Sequence, residues 1–133
     1  MNEGWSGEEY LILFSESEIA AADERYTISK YLPGYRIIGI RGWDDFIVQD
    51  QNGAAFTVPA IPIRSEYLAA FKVPDGQAEL TSDDRFTGKI KWYLRPVIFD
   101  GSAEAGPNLT WVDHNQHGQL VRWWNETYRS VKK

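Results

Sequence analysis

The segment from Tyr35 to Pro59, YRIIGIRGWDDFIVQDQNGAAFTVP, constrains the fold more than any other part of the chain. Apolar and polar residues alternate around Phe46 and Val48, which is the pattern of a strand with one buried face. Gly42 and the Asn52-Gly53 pair separate three such apolar runs, and both residue types tolerate the positive φ that tight hairpin turns require. The segment therefore predicts a three-stranded antiparallel meander with a type I′ turn at Asn52-Gly53.

A strand and a helix are predicted ahead of this meander. The apolar run from Tyr10 to Phe14 is short enough to be a buried strand. Ser15 and Glu18 have the spacing of a capping box, in which each side chain satisfies a free backbone donor at the start of a helix. The helix is expected to bury one stripe of residues: Ile19, Ala22, Tyr26 and, beside them, Ala20.

A second amphipathic helix is predicted near the C-terminal end of the sequence. Asp113 has the side chain of an N-cap residue, and Gln116 follows three residues later. The buried stripe at helical spacing comprises His117, Leu120, Val121, Trp124, Tyr128 and Val131. The opposite face carries Arg122, Arg129, Lys132 and Lys133, whose charges suit the negative end of the helix dipole.

The run KIKWYLR, residues 89–95, predicts one more strand, with Ile90, Trp92 and Leu94 on its buried side. The alternate residues would form a basic and aromatic strip of the kind that stacks single-stranded nucleic acid. An amphipathic strand with a solvated basic face explains the same pattern, and the overall acidity favours that interpretation. We expect no nucleic-acid partner.

Composition and charge limit the functions open to the chain. The formal net charge is −5, and the excess lies in residues 1–64, which hold ten acids and five bases against nine of each afterwards. Such a surface repels nucleic acid and attracts a basic protein, although solubility alone also explains a charge of this size. The absence of cysteine excludes disulfides and thiol catalysis. Because no signal peptide or membrane-length apolar stretch is evident, we expect one cytoplasmic domain, residues 1–133, without a membrane partner.

The candidates for catalysis or metal binding are few. His114 and His117 lie three residues apart, with Asp113 or Asp100 as a third ligand, but a zinc site needs three or four protein ligands and second-shell support. The competing interpretation places His117 in the core and His114 at a cap or in solvent. Asp44 and its neighbour Asp45 would point to opposite faces if they lie within a strand, and would converge only within a turn. We therefore expect no cofactor, no metal and no catalytic residue.

The order of these elements resembles a known family. The run from Trp5 to Ile63, with EYLILFSESEIAAADERY followed by YLPGYRIIGIRGWDDFIVQDQNGAAFTVP, is similar to the sheet-forming part of the SUKH superfamily, which is related to fungal regulators of cell-wall synthesis. The shared order is an apolar strand, a helix, a proline-glycine-aromatic step, a strand ending in Ile-Gly, a glycine-aspartate turn and a final strand. Members usually open with helices before the first strand, whereas this sequence reaches its strand almost at once.

The resemblance implies an α+β fold with a twisted, largely antiparallel sheet, helices packed against it, and no catalysis. Bacterial members are frequently immunity proteins, which bind and block a cognate toxin. A regulatory or scaffold module that binds a cellular protein is the alternative. We expect the contact surface for a basic toxin domain at six residues, with Trp92, Trp124 and Phe56 in the core instead: Trp43, Asp44, Asp45, Trp5, Glu8 and Glu9.

Overall fold

The computed structural model describes residues 2–73, 80–93 and 109–131, and it shows a mixed α+β architecture. Six strands form one antiparallel sheet in chain order: β1 (Asn2–Ser6), β2 (Glu9–Leu13), β3 (Arg36–Arg41), β4 (Asp45–Gln49), β5 (Ala55–Pro59) and β6 (Ala69–Ala70). Strands β7 (Ile90–Tyr93) and β8 (Leu109–Val112) form a separate antiparallel pair. The helices are α1 (Glu16–Tyr26), α2 (Ile28–Tyr31) and α3 (His114–Val131), with a 3-10 turn at Ser65–Tyr67. Within these ranges, no helix combines the length and the apolar character needed to span a membrane.

The predicted meander is confirmed as β3, β4 and β5, but its turns differ from the prediction. Asn52 does not have positive φ, so the turn at Asn52-Gly53 is not type I′. Asp50 sets this turn instead, because its Oδ1 accepts hydrogen bonds from the backbone N–H groups of Asn52 and Ala54, both at 2.9 Å. Gly53 alone is left-handed, with φ 87°. Two consecutive left-handed residues occur at the other turn, at Gly42 (φ 57°) and Trp43 (φ 64°).

Strand β1 was not predicted, whereas the strand at Tyr10–Phe14 is confirmed as β2. The two strands form a hairpin in which Trp5 pairs with Tyr10. The residues of β1 are glycine, polar residues and one tryptophan, with a single fully buried position at Gly4. The sequence of β1 shows no clear alternation of apolar and polar residues. The strand forms because it pairs with β2, which a local sequence pattern does not indicate.

Helix α1 begins as predicted. The backbone N–H of Ser15 donates to Glu18 Oε1 at 2.8 Å, and the capping box is complete. Ile19, Ala22 and Tyr26 are buried, which confirms the predicted stripe. Ala20 is exposed, so its assignment to that stripe is wrong: it follows Ile19 directly and therefore turns about 100° away from the sheet.

The main core lies between one face of the sheet and helices α1 and α3. The sheet contributes alternate residues, so side chains two apart in a strand share this face. In β3 a register shift between Ile37 and Gly39 places Ile37 and Ile40 on this face together. Among its fully buried members are Tyr10, Ile12, Ile37, Ile40, Phe46, Val48 and Val58. The opposite face also contains buried residues, namely Leu11 and Ile47. The sheet is thus covered on both sides at its centre.

Helix α3 confirms the predicted cap and most of the predicted stripe. Gln116 N–H donates to Asp113 Oδ1 at 2.8 Å, and Asp113 N–H donates to Gln116 Oε1 at 3.1 Å. His117, Val121 and Tyr128 are buried, and Leu120 and Trp124 pack against the core in part. The side chain of Val131 lies outside the described residues, as do Lys132 and Lys133.

The assignment of Arg129 to the solvent face of α3 is wrong. Its guanidinium carbon lies 4.1 Å from the centre of the Tyr31 ring, and its NH2 group donates to the carbonyl of Ile63 at 2.8 Å. Arginine can bury a long apolar stem and stack its planar head on an aromatic ring, which is why it occupies a boundary position here. Arg122, on the same predicted face, is exposed.

The strand predicted in KIKWYLR is confirmed as β7, with Ile90 and Trp92 buried. Leu94, its third predicted buried residue, lies outside the described residues, as does the candidate ligand Asp100. Trp124 and Phe56 are half-buried and pack against the core. Strand β8 was not predicted, since its four residues directly precede the cap of α3 and lack an alternating pattern of their own.

Candidate functional site

Two turns meet at one end of the large sheet and bring all six predicted contact residues into the same region. Strands β2 and β3 are antiparallel neighbours, with Leu11 paired to Arg41. The turn after β1 therefore lies beside the turn after β3. The backbone N–H of Gly42 donates to the carbonyl of Tyr10 at 2.7 Å and joins the two turns directly.

Five aromatic rings pack together at this end, and we call them the aromatic cluster: Trp5, Tyr10, Trp43, Phe86 and Trp111. Tyr10 and Trp43 stack with 4.9 Å between ring centres, and Phe86 stacks on Trp111 at 5.2 Å. Trp5 meets Tyr10 edge to face at 5.3 Å, and Trp43 meets Trp111 in the same way at 5.3 Å. Stacked and edge-to-face pairs are the favourable geometries for aromatic rings, so these contacts stabilise the cluster.

Trp43 contacts all four other rings of the cluster and has an unusual backbone. Its side chain is only 9% exposed, and its φ of 64° is rare for a bulky residue and costs about 1–2 kcal/mol. Burial of a tryptophan ring offsets such a cost. The ammonium of Lys91 lies 5.5 Å from the ring centre, so a cation covers Trp43 on a further side.

The four predicted carboxylates fall into two pairs, one on a face of the sheet and one at the tips of the two turns. Glu9 and Asp45 lie on the face opposite Tyr10 and Trp43, because neighbouring strand residues alternate. Arg41 lies between them, with NH2 2.8 Å from Glu9 Oε1 and NH1 3.9 Å from Asp45 Oδ2. Burial raises the pKa of Asp45 above its usual value, Arg41 lowers it and Glu9 raises it further. These two acids are thus partly neutralised within the chain.

Asp44 and Glu8 remain exposed at the tips of the two turns. Asp44 occupies the turn rather than a strand, and its backbone carbonyl accepts a hydrogen bond from Ala60 N–H at 2.9 Å. Protein atoms crowd its carboxylate although the residue as a whole stays in contact with solvent. This desolvation raises the pKa of Asp44, while Lys91 lowers it and Asp45 raises it. Asp44 and Asp45 do not converge on one bond, since Asp45 turns to Arg41.

Sequence reasoning missed three residues of this site: Phe86, Trp111 and Asp83. Trp111 is 38% exposed and is the most accessible ring of the aromatic cluster. Together with Phe86 it lines a cavity of about 330 Å³. Asp83 Oδ2 accepts a hydrogen bond from Trp5 Nε1 at 3.1 Å. Phe86 and Asp83 belong to a polar segment without strand or helix periodicity, so the only available signal was a lone aromatic residue in a polar run.

The two histidines lie apart from the aromatic cluster, near the start of α3. His117 is fully buried, and its Nδ1 is 2.7 Å from the Tyr26 hydroxyl. Burial, with smaller contributions from His114 and Arg25, lowers the pKa of His117 to about 3. Burial also lowers the pKa of His114. Both imidazoles are therefore uncharged at neutral pH.

A second cavity, of about 500 Å³, is lined by His114 together with residues of α1. Two carboxylates, Glu18 and Asp113, also line it, but each is engaged in the cap of its helix. In the described ranges, no group of three or more histidine and acidic side chains is arranged to hold a metal ion.

The fold and the site define an α+β protein with an aromatic cluster and exposed acids at one end of its sheet. Comparison with protein-family models, with curated proteins and with solved structures finds no match.

Proposed function

We propose that this chain is a non-catalytic protein-binding module that uses the end of the sheet formed by the aromatic cluster. One observation carries the proposal. The exposed ring of Trp111 rests on the packed rings of Phe86 and Trp43, and the exposed acids Glu8 and Asp44 lie at the same end of the sheet. Rigid aromatic anchors surrounded by charge are typical of protein-protein contact sites.

The partner that this chemistry favours is a basic protein domain. Exposed carboxylates attract positive charge over distance and accelerate association, and ring faces bind arginine and lysine by cation–π interaction. Two rings of the cluster already form cation–π contacts within the chain. Arg85 lies 5.0 Å from the centre of the Phe86 ring, and Lys91 lies over the Trp43 ring. A basic partner would extend the same interaction to Trp111.

Within this class, we infer an immunity protein that binds and neutralises a cognate toxin. The inference rests on the resemblance of residues 5–63 to the SUKH superfamily. Neutralising a toxin requires tight binding, and a nanomolar complex corresponds to a binding free energy of roughly −12 kcal/mol. Two or three aromatic anchors at about 2 kcal/mol each supply a large part of that free energy.

The decisive experiment is to search the neighbouring reading frames for a toxin domain and to co-express any such domain with this chain. Growth should be restored by the wild-type chain. Purified complex should form at a rate that falls as salt is added, because salt screens the attraction. The Glu8→Lys and Asp44→Lys double variant should associate about tenfold more slowly, with little change in dissociation.

Glu24→Lys is the control for the single substitutions Glu8→Lys and Asp44→Lys, because it makes the same change of charge at an exposed acid of α1 away from the aromatic cluster. It should associate at a rate close to wild type. If toxicity persists and no complex forms, the immunity function is wrong. A stable complex with a cellular protein in the same cells would then favour a regulatory or scaffold module.

A further inference from the structure

A short segment of the chain, residues 80–89, lies across the outer edge of β1, and we call it the strap. Thr81 pairs with Trp5 as an added strand would: Trp5 N–H donates to Thr81 C=O at 2.8 Å, and Thr81 N–H donates to Trp5 C=O at 2.9 Å. Asp83 accepts the indole N–H of Trp5 at 3.1 Å. Gly88 N–H donates to Glu3 Oε1 at 3.2 Å. The strap thus uses the edge of β1 through backbone and side-chain hydrogen bonds.

Phe86 fixes the strap to the aromatic cluster. Its ring lies 5.9 Å from Trp5, 5.8 Å from Tyr10, 5.4 Å from Trp43 and 5.2 Å from Trp111, measured between ring centres. The other four rings therefore form a slot, and one aromatic side chain from the strap fills it. The residue that supplies this ring lies three positions after the acceptor, Asp83.

The strap also contains a turn with its own hydrogen bonds. Asp83 C=O accepts the N–H groups of Phe86 (3.0 Å) and Thr87 (3.2 Å), and its Oδ1 accepts Arg85 N–H at 3.1 Å. Arg85 NH2 also pairs with Asp83 Oδ2 at 2.8 Å. Seven of the ten strap residues are exposed: Thr81, Ser82, Asp84, Arg85, Thr87, Gly88 and Lys89. Lifting the strap would break the contacts to β1 and the cluster but leave its internal turn intact.

The edge of β1 is shaped for close approach of another backbone. A Cβ atom at Gly4 would lie 2.6 Å from the carbonyl oxygen of Thr81, a distance that real side chains do not reach. Glycine at this position is what allows a strand to pair here. An edge strand with free backbone groups is a common site for the addition of a partner strand.

We propose that the edge of β1 and the ring slot together form a recognition site for a segment of the partner protein, and that the strap is its resident competitor. The segment pairs with Trp5 through its backbone, offers a hydrogen-bond acceptor to the indole N–H, and places an aromatic side chain in the slot three residues later. This inference locates the partner at the site described above and so rests on the proposed protein-binding function.

The competition has a defined cost for the partner. A tethered strap acts at an effective concentration of order mM, so a partner segment binds only after displacing it. Weakening the strap should strengthen binding in trans, because the binding-competent state becomes more populated. Trp111 is already exposed, so the partner could contact this ring and gain binding free energy before it displaces the strap.

The test uses a synthetic peptide with the sequence of residues 80–89, LTSDDRFTGK, titrated into the full-length chain. The Phe86→Ala variant has an empty slot and should bind this peptide at least about tenfold more tightly than wild type. Indole fluorescence reports the binding, since three tryptophans belong to the aromatic cluster. The Asp83→Ala variant is a second receptor. It keeps all five rings but lacks the carboxylate that accepts the Trp5 indole N–H and stabilises the turn of the strap. It should also bind the peptide more tightly than wild type.

Two controls make the result specific. A peptide with alanine in place of its phenylalanine should bind the Phe86→Ala variant at least about tenfold more weakly. The Asp84→Ala receptor changes an exposed strap residue and should behave as wild type. Equal binding of both peptides, or no binding to either folded receptor at millimolar peptide, would overturn the proposal. The peptide experiment involves no toxin, so its outcome is independent of the neutralisation experiment. Peptide binding can be absent while the toxin is neutralised, and peptide binding can occur while the toxin is not neutralised.

Discussion

Asn125 shows how a single polar residue can hold two parts of the fold together. It is fully buried in α3. Both polar atoms of its side chain form hydrogen bonds, with the chain segment after β5 and with its own helix. Its Oδ1 accepts Ile63 N–H at 2.8 Å, and its Nδ2 donates to the carbonyls of Ala60 at 2.7 Å and Val121 at 2.9 Å. A buried amide with complete hydrogen bonding stabilises one arrangement of the segments around it.

Asn125→Ala should therefore lower the free energy of unfolding by about 2–4 kcal/mol, since it leaves Ile63 N–H and Ala60 C=O buried without partners. Urea denaturation at neutral pH measures the change. Gln119→Ala removes an exposed amide from the same helix and should change stability by less than about 0.5 kcal/mol. Equal effects of the two variants would contradict this role for Asn125.

At the level of single residues, the sequence predicted well wherever a local rule decides. The caps at Ser15 and Asp113 follow from side chains three residues apart, and both formed. The type I′ turn at Asn52-Gly53 failed because the Asp50 carboxylate satisfied the turn in another way. Trp43, in contrast, is left-handed against its own preference because the aromatic cluster holds its ring. That is a tertiary effect, which no local pattern reports.

Helices α1 and α3 pack closely where α3 has a glycine. A Cβ atom at Gly118 would lie 2.4 Å from Arg25 Cγ and 3.1 Å from the carbonyl oxygen of Arg25. Glycine weakens a helix interior by about 1 kcal/mol relative to alanine. Its presence in the middle of α3 is therefore explained by the approach of α1 and not by the helix itself.

Gly118→Val should lower the free energy of unfolding by about 1–3 kcal/mol, because a branched side chain cannot fit against Arg25 without moving α1. Thermal and urea denaturation measure it. Ser130→Val places the same side chain on an exposed position of α3 and is the matched control. In an Arg25→Ala background the cost of Gly118→Val should shrink, since Cγ is gone. An unchanged cost would mean that the side chain of Arg25 is not its cause.

Among the elements, length and periodicity decided which ones the sequence could predict. The strongly patterned β3, β4, β5 and α3 were found, and their neighbours β1 and β8 were not. Strand β1 is polar, and β8 lacks an alternating pattern of its own, so each depends on its partner strand for order. The same limit applies to the candidate site. Trp5 and Trp43 were named from sequence, while Phe86 and Trp111 come from the strap and from β8.

On the scale of the whole molecule, the two turns and the strap show why a contact surface is harder to predict than a fold. Glu8 is far from Trp43 and Asp44 in sequence, but all three lie at one end of the sheet because β2 and β3 are antiparallel. Sequence alone could place each of them near a turn. It could not assign Asp45 and Glu9 to the face of Arg41, because that assignment depends on the register between the strands.

Stability of the whole molecule should depend on pH through His117, which the fold buries as an uncharged ring. Burial lowers its pKa from 6.5 to about 3, with Arg25 and His114 contributing. Between these values the unfolded chain binds a proton and the native chain does not. Stability is therefore complete above the unfolded pKa and declines as pH falls. The pKa values of Asp44 and Asp45 are shifted upwards, so their titration acts in the opposite direction.

The free energy of unfolding should thus fall by about 4 kcal/mol from His117 as the pH is lowered from 7 to 3, out of about 5 kcal/mol that the difference between pKa values of 6.5 and about 3 represents at 1.36 kcal/mol per pH unit. Urea denaturation at intervals of half a pH unit measures the slope. His117→Gln should be less stable at pH 7, because Tyr26 loses its partner, and should show a flatter profile between pH 6.5 and 4. His114→Gln removes the other histidine and should retain most of the wild-type slope. The difference between the pH profiles of the wild type and His117→Gln measures the contribution of His117 protonation. If His117→Gln keeps the wild-type slope, other groups cause the acid unfolding.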